Sequence, residues 1–135
     1  MNREEKLEYI AKQLFEQGNI EIIDSAFVES YIGHYGDKKH TGHKFVKQFI
    51  GKLRLAIPDI KILKIEFLSQ TENRITWQRT FSGTHKAEMQ GIPASMKKLK
   101  WNEIVVTRFE GEKIAEDWVV SDLAFQLMIK QTKKK

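Results

Sequence analysis

Three side chains in this sequence could move protons without a thiol: Asp122, His85 and His34. Asp122 closes the segment Gly111 to Gln131, GEKIAEDWVVSDLAFQLMIKQ, in which a turn leads into an alternating strand and then an amphipathic helix. Residues two apart in a strand share a face, so Ile114, Glu116, Trp118, Val120 and Asp122 are expected on one side and Asp117 on the other. A carboxylate against an indole and a valine loses hydration, which raises its pKa and makes it a usable general base. Asp122 also precedes LAFQLM, where an aspartate suits a helix N-cap. Both roles stay open, because one carboxyl group at a strand-to-helix junction can serve each.

The helpers follow from a second strand. Between Arg74 and His85, residues Ile75, Trp77, Arg79, Phe81, Gly83 and His85 share one face. His85 could hydrogen-bond a ligand carbonyl or a developing enolate, or bond backbone at its strand end. His34, after Tyr31 in a segment read as irregular, could face the same pocket or pack at a helix end. Arg79 on an apolar face needs an anionic partner, supplied by Glu103, by Glu66 or by an acidic ligand. Trp77, Trp101 and Trp118 fit a core, and would also suit a flat aromatic ligand. These six residues, Trp77, Arg79, Phe81, Trp101, Arg108 and Trp118, make up the expected pocket.

Positioning them takes helices first and strands afterwards. Asn2 with Glu5 marks a helix start, Leu7, Ile10, Ala11, Leu14 and Phe15 form its apolar stripe, and Gly18 stops it. A short helix is expected over Ile20 to Phe27. Thr41 is expected to cap a third helix with Phe45, Val46, Phe49, Ile50, Leu53 and Ile57 inward, ended by Pro58. Beyond Pro58 the period becomes two: strands around Leu63 to Phe67, Arg74 to His85, Lys100 to Phe109, and after a tight Glu110-Gly111 turn, the strand that leads to Asp122. Helices segregated before an antiparallel sheet of four or more strands make an α+β fold with a short C-terminal helix.

Composition excludes several classes. The 135 residues suit a single domain, 1–135, with enough buried surface for a core and a small cavity. There are no cysteines, which removes disulfides, thiolate catalysis and cysteine zinc sites. His40 and His43 lack an acidic companion at metal-binding spacing, so no metal is expected. Gly33, Gly36 and Gly42 do not follow a strand and open a helix as a phosphate loop does. Ser82 lies only three residues from His85 and on the opposite strand face, which argues against a nucleophile. Of the net charge of +5, Lys130, Lys133, Lys134 and Lys135 supply four. A frayed basic tail over 130–135 accounts for this better than nucleic-acid binding, as no aromatic-interleaved basic stripe accompanies it. Neither a membrane-length apolar run nor a signal-peptide core is present, and the expected location is the cytoplasm.

The order of short motifs is informative as a set. Tyr31-x-x-His34, Gly42, Leu53 to Asp59 (Leu-x-x-x-Ile-Pro-Asp), Ser82-Gly83-Thr84-His85, Gly91-Ile92-Pro93, Trp101, Arg108-Phe109, Gly111-x-Lys113-Ile114, Trp118-x-x-x-Asp122 and Gln126-Leu127 together resemble the SnoaL-like polyketide cyclases, or ester cyclases, of the nuclear-transport-factor-2-like superfamily. The resemblance implies a strongly curved sheet wrapped around helices as a cone, an internal pocket for a small apolar or aromatic ligand, and a homodimer. It further implies cofactor-free aldol chemistry with Asp122 as acid/base. Arg108 stands where a second polar helper is expected. Two functional classes follow: a cyclase, isomerase or lyase acting on a small carbonyl compound, or a noncatalytic ligand-binding or scaffold protein with the same pocket.

Overall fold

The computed structural model describes residues 1–131; the expected tail at Lys133, Lys134 and Lys135 lies outside the described residues, and Lys130 belongs to the last helix. Helix α1 (Arg3–Ala11) begins at a capping box in which Asn2 and Glu5 accept each other's backbone N–H groups. It runs on through a widened π turn, Lys12–Glu16, and ends at Gly18, whose φ of +67° is left-handed. The segment expected as one short helix is a 3₁₀ turn, Ile20–Ile22, followed by the single-turn α2 (Ile23–Ala26).

The segment expected to be irregular is instead a strand. Phe27–Tyr35 forms β1, which pairs with the short β2 (Lys38–Thr41). Thr41 therefore ends a strand and does not cap the third helix, α3 (His43–Ala56), which is preceded by Gly42. The four later strands are β3 (Lys61–Gln70), β4 (Arg74–Thr84), β5 (Lys98–Glu110) and β6 (Lys113–Ser121), and α4 (Leu123–Gln131) closes the described chain. The β5–β6 loop is Gly111-Glu112, one residue later than expected, and Gly111 supplies the left-handed φ of +61° at its first position.

The six strands form one curved sheet in the order β2-β1-β6-β5-β4-β3, antiparallel except where β1 runs parallel to β6. Its concave face carries the core. Leu7, Ile10, Leu14 and Phe15 from the first helical segment and Val46, Ile50 and Leu53 from α3 pack into it. No helix among the described residues is long and apolar enough to cross a membrane.

One irregularity decides which side chains face inward. In the β5–β6 ladder Arg108 pairs with Glu116 while Phe109 pairs with Ile114, so Ala115 is an extra residue, a β-bulge. Ile114 and Ala115 are both buried, and the alternation restarts one residue out of step. Ile114 consequently shares the concave face with Asp117 and Val119, not with Trp118 as expected.

Candidate functional site

The concave face gathers polar groups at one end of an apolar cavity of about 40 Å³. Apolar walls come from Leu7, Leu14, Phe15, Val46 and Ile50; Tyr31, Tyr35, Trp77, Arg79, Thr107 and Asp117 also line it. A water molecule requires roughly 10–15 Å³ on this measure, so the cavity admits a few waters or a carbonyl group, not a ring system.

Asp117 is the titratable acid in this wall. Its Oδ1 accepts a hydrogen bond from the Thr107 hydroxyl at 2.5 Å, and its Oδ2 accepts one from the Tyr31 hydroxyl at 2.8 Å. Burial raises its pKa above the ordinary aspartate value, and the Glu116 charge adds to the rise. The two hydroxyl donors and the Arg79 charge act in the opposite direction without cancelling it. The Trp77 indole N–H donates to the same Thr107 oxygen at 3.0 Å, completing a chain from β4 through β5 to β6.

Gly33 makes the tyrosine side of this arrangement possible. A Cβ there would lie 2.8 Å from a Tyr35 ring carbon and 3.2 Å from the Tyr31 hydroxyl, so both rings converge over a position that has no side chain. Burial is the main cause raising the pKa of each tyrosine, and the adjacent Asp117 charge raises both further. They therefore remain protonated donors at neutral pH.

Arg79 and Glu103 form a buried ion pair, 7% and 6% exposed, with Arg79 Nε 2.9 Å and its terminal nitrogen 2.8 Å from Glu103 Oε1. The guanidinium also lies over the rings of Phe15, Trp77 and Phe81. Of the two internal partners weighed from sequence, Glu103 is the one used. Beside the cavity, and sharing Tyr35 and Phe49 with it, opens a larger hollow of about 410 Å³ lined also by Gln90, Glu103, Val119, Leu123 and Ala124.

Of the residues expected to act, Trp77 and Arg79 line the cavity. His34, His85 and Asp122 do not, and the structure gives each a separate environment. His34 stacks on Trp118 with ring centroids 5.1 Å apart on the opposite, convex face, its Nε2 2.6 Å from Glu116. His85 is 0% exposed at the end of β4, where its Nδ1 accepts the Ser95 N–H. The Asp122 carboxylate accepts the N–H of Asn102 on β5 at 2.8 Å, tying that strand to the start of α4, while the Ser121 hydroxyl accepts the Leu123 N–H. Arg108 is also on the convex face and pairs with Glu116 and Glu110. Phe81 and Trp101 are fully buried and stack on each other in the core at 5.2 Å.

Asp117, Tyr31, Tyr35 and Thr107 line the cavity and are not among the residues expected from sequence to form the pocket. Tyr31-x-Gly33-x-Tyr35 does carry a period-two signal, a small residue between two aromatics on one strand face. The bulge at Ala115 leaves no comparable mark.

The profile of the SnoaL-like polyketide cyclases matches residues 7–128. Among solved structures, TsrD from Streptomyces laurentii superposes with a TM-score of 0.80 at 19% identity, covering 93% of this chain and 94% of its own. A SnoaL-like polyketide cyclase from Agrobacterium tumefaciens gives 0.72 at 20% identity over 92% and 94%. AclR from Streptomyces galilaeus, a candidate hydroxylase, gives 0.80 at 18% identity over 95% and 93%. At these identities the structures share the fold, and their names differ in chemistry. No curated protein matches in sequence. With most of its length matched by one profile, the chain belongs to the SnoaL-like polyketide cyclase family.

Proposed function

We propose that this protein binds the carbonyl end of a small, neutral, largely apolar compound in the cavity and that Asp117 removes a proton from the carbon beside that carbonyl, in a cyclase or isomerase type of reaction. The observation that carries this reading is the Asp117 carboxylate, raised in pKa by burial and held by two hydroxyl donors in a cavity wall. A base tuned upward toward neutral pH is better matched to abstracting a carbon-bound proton. The C–H proton passes to Asp117, the C–H electron pair becomes the enolate double bond, and the negative charge collects on the ligand oxygen. Tyr35 and the Arg79 guanidinium, both in the cavity wall, are placed to stabilise that charge. Ring closure follows when the enolate carbon attacks a second carbonyl of the same molecule and the new alkoxide takes the proton back from Asp117. Reprotonation at another carbon gives isomerisation instead.

Size and charge narrow the ligand. The inner cavity accepts only a carbonyl head, so the body of the molecule belongs in the outer hollow past Tyr35 and Phe49. Arg79 is already neutralised by Glu103, and Asp117 contributes a further negative charge, so a carboxylate ligand is disfavoured.

The test is hydrogen–deuterium exchange at the carbon next to the carbonyl of 1-tetralone in D₂O, followed by NMR. Wild-type protein accelerates the exchange and Asp117→Asn does not, whereas Asp122→Asn retains it. Binding of 1-tetralone without acceleration would make the protein a ligand carrier instead of an enzyme.

A further inference from the structure

The hydrogen bonds around Asp117 have a fixed direction. An indole N–H can only donate, so the Thr107 oxygen must accept from Trp77. Thr107 has a single hydroxyl hydrogen, and the acceptor it meets is Asp117 Oδ1 at 2.5 Å. Tyr31 donates to Oδ2, and among the side-chain hydrogen bonds of the described residues none holds the Tyr31 oxygen from behind. The two carboxylate oxygens are therefore unequal: one faces a donor held in place from behind, the other faces a donor that can be released.

Resting on the reading of Asp117 as the base, we propose that Trp77 is a positioning residue of the site, acting through Thr107 to hold Oδ1 as a permanent acceptor so that Oδ2 takes up and returns the ligand's proton. Protonation on Oδ1 along the Thr107 contact would put two hydrogens between two oxygens 2.5 Å apart. Protonation on Oδ2 leaves the acid hydrogen beside Tyr31, in the cavity wall where a ligand would lie. The indole N–H also polarises the Thr107 hydroxyl, since hydrogen bonds in a chain strengthen one another. The other groups facing Asp117 are Tyr31 and Tyr35 from β1 and Arg79 from β4, with Glu103 behind Arg79; Glu116, next to it in β6, lies on the convex face and acts only through its charge. The α1 and α3 side chains in the same wall, among them Leu7, Ile10, Val46 and Ile50, are apolar. None of these reaches Asp117 through Thr107, so the path from Trp77 can be isolated.

The experiment is an NMR titration of the Asp117 carboxyl carbon in full-length protein labelled with ¹³C-aspartate, arranged as a double-mutant cycle. Trp77 is replaced by benzothienylalanine, which keeps the ring shape and removes the N–H. Thr107→Val removes the hydroxyl. Thr107→Val is expected to raise the proton affinity of Asp117 roughly threefold to tenfold, the equivalent of one hydrogen bond. The indole replacement alone is expected to raise it roughly twofold, and to change nothing in the Thr107→Val background. Unchanged titration on indole replacement overturns the proposal, and so does an equal effect in both backgrounds, which would mean that Trp77 acts by packing. Because this readout is a titration and not turnover, it is separable from the exchange assay: loss of the base reading shows as exchange persisting in Asp117→Asn.

Discussion

Two nitrogens of Arg79 converge on a single oxygen of Glu103, Oε1, at 2.9 and 2.8 Å. No partner within the Arg79 pair is left for Oε2, and Glu103 also lines the outer hollow. The pair thus neutralises a buried guanidinium at the wall of the outer hollow. Replacing Glu103 by Gln leaves Arg79 buried and uncompensated, with a stability loss expected at about 3 kcal/mol in urea unfolding. The freed positive charge should also lower the pKa of Asp117, to be read by carboxyl NMR.

Asp117 should make the protein less stable as pH rises. Its folded-state pKa is raised by burial, so the folded state holds its proton more tightly than the unfolded chain does. Its contribution is neutral below the unfolded value and becomes a growing penalty between the unfolded and folded values, complete above the latter. Asp117→Asn removes that penalty. The variant is expected to lose catalysed exchange while melting at or above the wild-type temperature at neutral pH, and to lose this advantage in acid. Melting curves across pH would detect the crossover.

Gly33→Ala is a test of the tyrosine pair. The added Cβ would lie 2.8 Å from the Tyr35 ring and 3.2 Å from the Tyr31 hydroxyl, and both rings must move. The expected stability loss is about 1–3 kcal/mol. Binding of 1-tetralone should fall further than that loss alone explains, because the Tyr31 bond to Asp117 is broken.

Gly83→Ala should be destabilising for a different reason. Its Cβ would clash with the Ile57 side chain and approach the Ile60 backbone to 3.2 Å. Next to it, Asp59 accepts both the N–H and the hydroxyl of Thr84, at 2.7 and 2.8 Å. Those bonds, the backbone N–H first, hold the Asp59 carboxyl below the ordinary range. The contribution is therefore present above the unfolded pKa and lost as pH falls through the folded one. Gly83→Ala is expected to cost about 1–3 kcal/mol with the Asp117 titration unchanged; a shifted titration would show that this corner reaches the site.

The contrast between Gly83 and Asp117 explains what could be read in advance. Ile57-Pro58-Asp59 and Ser82-Gly83-Thr84 stand out as motifs because they clamp the end of α3 to β4, a local steric demand with few solutions. The same holds for the Asn2–Glu5 capping box and the alternation of β4, so the α+β class and its helix-then-sheet order were legible. The site was less so. Alternation along β4 puts Trp77 and Arg79 on the cavity wall, whereas His34, open in sequence between the pocket and a helix end, faces outward because Tyr31 to Tyr35 is a strand. Strict alternation through Ala115 and the motif Trp118-x-x-x-Asp122 both point to Asp122, whereas the bulge turns Asp117 into the cavity wall; a bulge depends on pairing with a partner strand that residue types do not reveal.

The parallel seam between β1 and β6 has a kinetic meaning. The hairpins from β3 to β6 join neighbours along the chain, whereas Tyr31 meets Asp117 across 86 residues. Closing so long a loop is slow and is repaid only when both strands are in register. Partly folded chains can hold the antiparallel meander and still present Asp117 to water as an ordinary carboxylate. The buried carboxyl group, with its pKa raised, comes into being only as the N-terminal segment docks, so the titration of Asp117 itself marks completion of the fold.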